Sequence, residues 1–175
     1  WAVKTYKVAN DGTEYVSSFY LPGEIIGLDA LSSGSHSCGA KTLETTSLCE
    51  IPYNQLDTIA VTIPNISRQL LKIMSHEIKC DEQMMTMIGS QPAKARLVAL
   101  FLSLSSRLKR RGYSATEFSL SMSRADIGSY LGLAVETVSR LLKKLQDQGL
   151  IEVNHRQIKL LEMDQLRELV SLEIQ

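Results

Sequence analysis

The stretch that decides the fold runs from residue 123 to residue 145 and reads SRADIGSYLGLAVETVSRLLKKL. It contains two short runs of helical apolar spacing separated by Gly132, and glycine adopts the left-handed backbone of a tight turn without steric cost. Ser123 and Asp126 have the spacing of a capping box, with Asp in place of the usual Glu. We therefore predict a helix that ends before the glycine, a sharp turn, and a second helix from about Val135 to Gln146.

The second predicted helix separates its side chains into two faces. Its apolar residues recur at helical spacing and face inward, while charged and polar residues share the opposite face. Two helices joined in this way form a helix-turn-helix, whose second helix places its N-terminal residues against base edges in the major groove. The predicted base-reading residues are Glu136 and Arg140. The predicted contacts to the DNA backbone are Arg124, Thr137, Lys143, Lys144 and Arg156.

Two of these residues have chemistry that suits particular bases. The Arg140 guanidinium matches guanine O6 and N7 as a bidentate donor, and the Glu136 carboxylate accepts from a cytosine amino group. Glu136 also has a simpler interpretation, because the helix dipole favours an acidic side chain in the first turn. Its position four residues before Arg140 on one face favours the base-reading interpretation.

Elements on both sides extend the helix-turn-helix. Residues 148–153 and 157–161 are β-rich and flank Asn154-His155-Arg156, which predicts a β-hairpin and hence a winged helix, followed by a short amphipathic helix. Upstream, an apolar face at helical spacing predicts a helix from Ala93 to Arg111. That helix ends in a basic cluster of Arg107, Lys109, Arg110 and Arg111. A solvated helix end and a phosphate contact explain this cluster equally well.

A longer helical period covers residues 65 to 88, which corresponds to about 36 Å of helix. Heptad spacing selects a seam of Leu71, Met74, Ile78, Asp81, Met85 and Ile88. A helix this long has more apolar surface than a small barrel covers, so we predict a symmetric dimer seam. The alternative is a helix that lies on its own barrel. For Asp81 we hypothesise that repulsion between two copies keeps the dimer marginal, the alternative being that its side chain reaches solvent.

The first sixty residues are strand-like and frequently interrupted by turns. Asn10-Asp11-Gly12 separates two β-rich runs, and further short runs follow after Pro22-Gly23 and around residues 41–51. Short strands with many turns predict a small barrel or jelly roll, here a partial one. The fold class is therefore α+β: a partial jelly-roll sensor domain (1–63), a dimerisation helix (64–90) and a winged-helix DNA-binding domain (91–175).

Composition agrees with a sensor joined to a nucleic-acid binder. The net charge is zero, but residues 1–89 carry six Lys/Arg against ten Asp/Glu, whereas residues 90–162 carry twelve against six. No run of 18 apolar residues and no leader are present, and the three cysteines do not form a disulfide framework, so we expect a cytoplasmic protein without a membrane partner. The chain starts with a strand-like run and no Met, and we expect a fragment that lacks upstream sequence.

Several motifs resemble the CRP/FNR family of bacterial transcription regulators, and within it the FNR/ANR branch of anaerobic regulators. They are LPGEIIG at 21–27, LET at 43–45, CEIP at 49–52, DIGSYLGL at 126–133 and VETVSRLL at 135–142. The resemblance covers essentially the whole chain, and it implies a jelly-roll sensor, a long dimerisation helix and a winged helix. It further implies that Glu136, Ser139 and Arg140 read a palindrome of TTGAT-type half-sites.

The resemblance also implies partners and a signal. The turn with Ala9, Gly12 and Thr13 corresponds to a loop that contacts RNA polymerase. Cys49 matches the fourth ligand of the [4Fe–4S] cluster that FNR proteins hold, while the other three ligands have no counterpart here. A cluster needs four thiolates as a rule, so none is expected in this fragment, although a full-length protein can have one and respond to oxygen.

Two alternatives come from other classes of function. The first is a cyclic-nucleotide sensor of the same family. The resemblance implies that such a sensor has an Arg that binds the cyclic phosphate, but the corresponding Ser37-Cys38-Gly39-Ala40 contains no Arg. A jelly-roll metalloenzyme needs clustered His and carboxylate ligands, whereas His36, His76 and His155 lie in three different predicted elements. We therefore expect a regulator that has no enzymatic activity.

Overall fold

A computed structural model of the chain describes residues 2–52, 54, 55, 58 and 62–170. The N-terminal part contains a three-stranded antiparallel sheet of β1 (Val3–Val8), β2 (Glu14–Tyr20) and β3 (Gly39–Thr42), in the order β2-β1-β3. The predicted turn joins β1 to β2, and Gly12 adopts a φ of 85° there. A short 3₁₀ helix, Leu28–Leu31, lies between β2 and β3.

The predicted long helix is confirmed as α1 (Pro64–Ser90), which starts with a proline, a residue suited to the first helical turn. After two residues it is followed by α2 (Ala93–Lys109), which ends two residues earlier than predicted and three residues before Gly112, whose φ is 80°. Among the described residues, no helix is both long and apolar enough to cross a membrane.

The C-terminal part is a winged helix, as predicted. It consists of β4 (Glu117–Ser119), α3 (Arg124–Leu131), α4 (Val135–Asp147), β5 (Ile151–Asn154), β6 (Gln157–Leu160) and α5 (Met163–Glu168). The strands form an antiparallel sheet in the order β4-β6-β5, and His155, at a φ of 54°, lies at the tip of the β5–β6 hairpin. Residues 171–175, after α5, lie outside the described residues.

One hydrophobic core joins the N-terminal sheet to the winged helix. Val16 and Phe19 of β2 belong to the same buried cluster as Leu97 and Phe101 of α2 and Ile127 of α3. The Phe19 ring packs edge-on against Tyr130 with ring centroids 5.0 Å apart. The β1–β2 hairpin is therefore docked directly on the helix-turn-helix, a contact that the sequence-based division into separate units did not predict. The domain boundaries at residues 63 and 90 stay predictions.

Candidate DNA-binding surface

The helix-turn-helix begins with the predicted capping box. The Ser123 hydroxyl accepts a hydrogen bond of 3.1 Å from the backbone N–H of Asp126, and the Ser123 backbone N–H donates one of 3.0 Å to Asp126 Oδ2. Helix α3 ends at Gly132, whose φ of 65° is left-handed. The two sequence signals that defined this helix are therefore confirmed.

Gly128 in the middle of α3 has a role that we did not predict. Its carbonyl accepts a hydrogen bond of 2.8 Å from the backbone N–H of Leu133, and a Cβ at this position would lie only 2.6 Å from the Leu133 carbonyl oxygen. Only glycine lets the turn pack this closely on the helix. A glycine inside an eight-residue helix was the available signal, because glycine there costs stability unless packing requires it.

Helix α4 has the two faces that the sequence predicts. Val138, Leu142 and Leu145 are buried against the core. The opposite face carries the predicted DNA contacts: Glu136, Arg140, Lys143 and Lys144 are exposed, and Thr137 and Ser139 are half-buried. The side chains that suit base edges therefore lie at the N-terminal half of an exposed helix face, with two lysines one turn later.

Two further predicted contacts lie outside α4. Arg124 Nη1, at the start of α3, donates a hydrogen bond of 3.3 Å to the Ser139 hydroxyl, so a predicted backbone contact and a predicted base reader are neighbours. Arg156 is exposed at the tip of the β5–β6 hairpin. The predicted roles of all these residues toward DNA stay predictions.

The basic end of α2 is where the sequence interpretation was wrong. Arg107 and Arg111 form ion pairs with Glu24 in the loop after β2, and the Arg111 Nη2–Glu24 Oε1 distance is 2.8 Å. They also donate to backbone carbonyls, Arg107 to Phe19 at 2.7 Å and Arg111 to Pro22 at 2.7 Å. Neither a solvated helix end nor a phosphate contact describes these two residues, whereas Lys109 and Arg110 are exposed.

The Glu24 carboxylate is ionised by this arrangement. Burial alone would raise its pKa, but the hydrogen bond and charge of Arg107, the Leu21 N–H and the charge of Arg111 outweigh burial, and the pKa of Glu24 is lowered. Removing one partner of a buried ion pair is costly, because the charge of the other partner is left uncompensated. The loop after β2 and the end of α2 are therefore held together by these ion pairs and hydrogen bonds.

Arg96 on α2 is a second residue whose role was not predicted. Its Nε donates a hydrogen bond of 2.9 Å to the Gln91 carbonyl between α1 and α2, and its Nη1 donates one of 3.1 Å to the Leu131 carbonyl at the end of α3. One guanidinium thus bridges the hinge after the long helix and the turn of the helix-turn-helix.

The seam predicted on α1 is largely exposed within one chain. Leu71, Ile78 and Met85 are 66%, 59% and 74% exposed, respectively, Ile88 is exposed and Met74 is half-buried. The neighbouring Met87 is buried in the core, which shows that a different face of the helix lies on its own chain. Asp81 also lies in the seam and is exposed as a residue. Neighbouring atoms nevertheless remove part of the water around its carboxyl group, which raises the pKa of that group.

The cysteines and the hairpin turn are placed as follows. Cys49 is exposed; Cys38 Sγ lies 3.8 Å from Asp29 Oδ2, and Cys80 Sγ lies 3.6 Å from His76 Nε2. Within the described part of the chain, no group of three or more His, Cys, Asp or Glu side chains is arranged to hold a metal ion. In the turn with Ala9, Gly12 and Thr13, the last two residues are exposed and Ala9 is half-buried.

Comparisons with known proteins identify the family. The family model of the Crp-like helix-turn-helix domain matches residues 95–169. The transcriptional activator Anr of Pseudomonas protegens is 44% identical over 94% of this chain and 68% of its own length, and the fumarate and nitrate reduction regulatory protein of Escherichia coli is 41% identical over 97% and 68%. The structure of FixK2 from Bradyrhizobium japonicum matches with a TM-score of 0.84 at 35% identity, over 99% of this chain and 85% of FixK2.

The two curated relatives are a transcriptional activator and a regulatory protein. The chain spans about two thirds of the length of the two curated relatives, at 68% of each. The matched winged helix, the long helix and the small sheet agree with the fold of the solved relative. This chain belongs to the CRP/FNR family of DNA-binding transcription regulators, in the FNR/ANR branch of anaerobic regulators.

Proposed function

We propose that this chain binds double-stranded DNA as a homodimer and recognises a palindrome of TTGAT-type half-sites, one through each α4. The observation that carries the proposal is the exposed face of α4, where Glu136 and Arg140 lie one turn apart and Ser139 lies beside them. On an exposed helix supported by a buried apolar face, these side chains have access to a major groove.

The chemistry of that face divides into base reading and backbone contact. The Arg140 guanidinium pairs with guanine O6 and N7 of the half-site, and the Glu136 carboxylate accepts from a cytosine amino group on the paired strand. Lys143 and Lys144 contact phosphates and supply affinity that does not depend on sequence. Arg124 contacts the backbone beside Ser139, to which it already donates a hydrogen bond.

The dimer is proposed to form through α1. Leu71, Ile78 and Met85 are exposed at heptad spacing on a 27-residue helix, an arrangement that a second copy of the helix covers well. Asp81 lies in the same seam, so two carboxylates approach each other in a parallel pair. Their repulsion would keep the dimer marginal and leave its formation open to control by a signal.

Transcription activation is proposed to use the β1–β2 turn. Gly12 and Thr13 are exposed at the end of the hairpin, while its base is held against α3. An exposed turn beside the DNA-binding module suits contact with RNA polymerase at a promoter. Because the partner is bacterial DNA, the proposed location is the cytoplasm.

Oxygen sensing is proposed only for a longer protein. The described residues do not fit an iron–sulfur cluster, since no three candidate ligands come together, and Cys49 is exposed in a loop. We propose Cys49 as the ligand that this chain contributes to a [4Fe–4S] cluster, with three cysteines that lie outside this sequence. A cyclic-nucleotide signal is disfavoured because a cyclic phosphate needs a cationic side chain as its partner. The backbone N–H and the hydroxyl of Ser37, in the corresponding stretch, donate instead to the Asp29 carboxylate.

A binding titration tests the central part of the proposal. Fluorescence anisotropy with a labelled TTGAT palindrome should give an affinity at least a hundredfold above that for a scrambled duplex of equal length at the same salt concentration. A single half-site duplex should bind with intermediate affinity. Equal affinity for the palindrome and the scrambled duplex would contradict sequence-specific recognition.

A further inference from the structure

Lys4 is a buried lysine that connects the N-terminal sheet to the winged helix. It lies on β1 with 7% of its surface exposed, and its Nζ is 2.7 Å from Asp126 Oδ1 on α3 and 3.1 Å from Glu14 Oε2 on β2. Lysine is seldom buried unless its charge is paired, because an unpaired buried charge is costly. The position is therefore defined by its two carboxylate partners.

Asp126 has two functions in this arrangement. Its Oδ2 accepts from the backbone N–H and hydroxyl of Ser123 and so completes the capping box of α3, while its Oδ1 accepts from Lys4. The carboxylate that starts the first helix of the DNA-binding motif is thus bonded to a strand 122 residues earlier in the chain. The first turn of α3 cannot change its direction without losing this ion pair.

Other contacts place the whole of α3 along the same hairpin. The Ser129 hydroxyl accepts a hydrogen bond of 2.9 Å from the Val16 N–H, and the Tyr130 ring packs edge-on against Phe19. Helix α4 follows through the tight turn, with Glu136 and Arg140 exposed. The docked arrangement therefore leaves the DNA-reading face free and sets its direction.

We propose that Lys4 is a positioning residue for DNA binding: through Asp126 it fixes the angle of the helix-turn-helix relative to the β1–β2 hairpin, and so the separation of the two α4 helices in the dimer. This inference rests on the proposed function, since it concerns the simultaneous fit of two half-sites. Two half-sites on opposite arms of a palindrome require a fixed separation of about one helical turn of DNA.

The charge state of Lys4 is compatible with this role. Burial lowers its pKa, but the hydrogen bonds to Asp126 and Glu14 and the charges of both outweigh burial and raise the pKa overall. The side chain is therefore charged at neutral pH, and a charge-assisted hydrogen bond of 2.7 Å is stronger and more directional than a neutral one.

The test compares two affinities in each variant, one for the palindrome and one for a single half-site duplex. Both affinities are expressed per folded protomer, with the folded fraction measured by circular dichroism, because the palindrome takes up two protomers and the half-site only one. In Lys4→Met the palindrome-to-half-site ratio should fall about tenfold, and palindromes lengthened or shortened by one base pair at the centre should bind nearly as well as the native spacing. Lys4→Arg, which keeps the charge, should restore most of the ratio.

Two matched controls separate this role from general effects of charge. Lys7→Met removes an exposed lysine from the same strand, and Lys41→Met removes an exposed lysine from the neighbouring strand β3. Both should keep the ratio and the spacing preference of the unaltered chain. An unchanged ratio and spacing preference in Lys4→Met would overturn the inference while leaving the proposed function standing. If the unaltered chain does not prefer the palindrome to a scrambled duplex, the proposed function fails and the inference fails with it.

Discussion

Arg96 Nη1 donates a hydrogen bond of 3.1 Å to the backbone carbonyl oxygen of Leu131, the last residue of the first helix of the DNA-binding motif. The same guanidinium donates to Gln91 between α1 and α2. The carbonyl at the end of a helix has no partner within the helix, so Arg96 satisfies one such group on α3. One guanidinium therefore connects the end of the proposed dimerisation helix to the turn before α4.

Arg96→Ala should lower the free energy of unfolding by about 1–3 kcal/mol, because it removes two charge-assisted hydrogen bonds and leaves the Leu131 carbonyl without this donor. Urea denaturation measures the change. Lys94→Ala is the matched control on the same helix, since Lys94 bonds only an exposed Gln148 side chain among the contacts described, and should cost about 0.5 kcal/mol or less. Equal losses in both variants would contradict the role assigned to Arg96.

The Glu24 network predicts a loss of stability in acid. The pKa of Glu24 is lowered in the folded chain from an ordinary value of 4.5. A carboxylate with a lowered folded pKa contributes stability that is fully present above its unfolded pKa and is lost as the pH falls through the folded value. The free energy of unfolding should therefore decrease as the pH falls below about 4.5, because the unfolded chain takes up a proton on Glu24 while the folded chain keeps this carboxylate ionised.

Glu24→Gln should cost about 3 kcal/mol at pH 7, because it leaves Arg107 and Arg111 without a charged partner in a largely buried site. The same variant should lose less stability on acidification than the unaltered chain. Glu82→Gln, on an exposed part of α1, serves as the control and should change neither quantity by more than about 0.5 kcal/mol. Parallel acid profiles for Glu24→Gln and the unaltered chain would show that Glu24 does not carry the effect.

Local signals in the sequence predicted much of this fold. The capping box at Ser123, the left-handed Gly132 and the apolar face of α4 act within a few residues, so the helix-turn-helix followed from them. The roles of Lys4 and Glu24 did not follow. Lys4 pairs with Asp126, 122 residues away in the chain, and Glu24 pairs with Arg107, 83 residues away, and no local period or spacing records such contacts.

The close approach at Gly128 yields a comparison of two glycine variants. Gly128→Ala should destabilise the chain by more than 2 kcal/mol, since its Cβ would lie 2.6 Å from a backbone carbonyl that cannot easily move. Gly89→Ala, in α1, should stabilise by about 0.4–1 kcal/mol, because a Cβ there meets no described atom within 4 Å and helix propensity rises. Thermal unfolding of both variants gives the signs, and a stable Gly128→Ala would contradict the packing described.

Asp81→Ala should shift the monomer–dimer equilibrium toward the dimer. The change removes one carboxylate from each side of the proposed seam, and relief of the repulsion should strengthen association about tenfold, a difference of 1.4 kcal/mol. Sedimentation equilibrium at several concentrations measures it. Glu82→Ala removes a neighbouring exposed carboxylate outside the seam and should have little effect. An unchanged dissociation constant in Asp81→Ala would contradict the role of this residue in keeping the dimer marginal.

The most direct test of the central claim is the affinity of Arg140→Ala for two duplexes, a TTGAT palindrome and a random sequence, at one salt concentration. Loss of the bidentate guanine contact should weaken binding to the palindrome by about 1–3 kcal/mol for each half-site and leave random-duplex binding nearly unchanged. Lys143→Ala, the phosphate-contact control, should weaken both to a similar extent. Equal losses on the two duplexes in Arg140→Ala would contradict the claim that α4 reads bases.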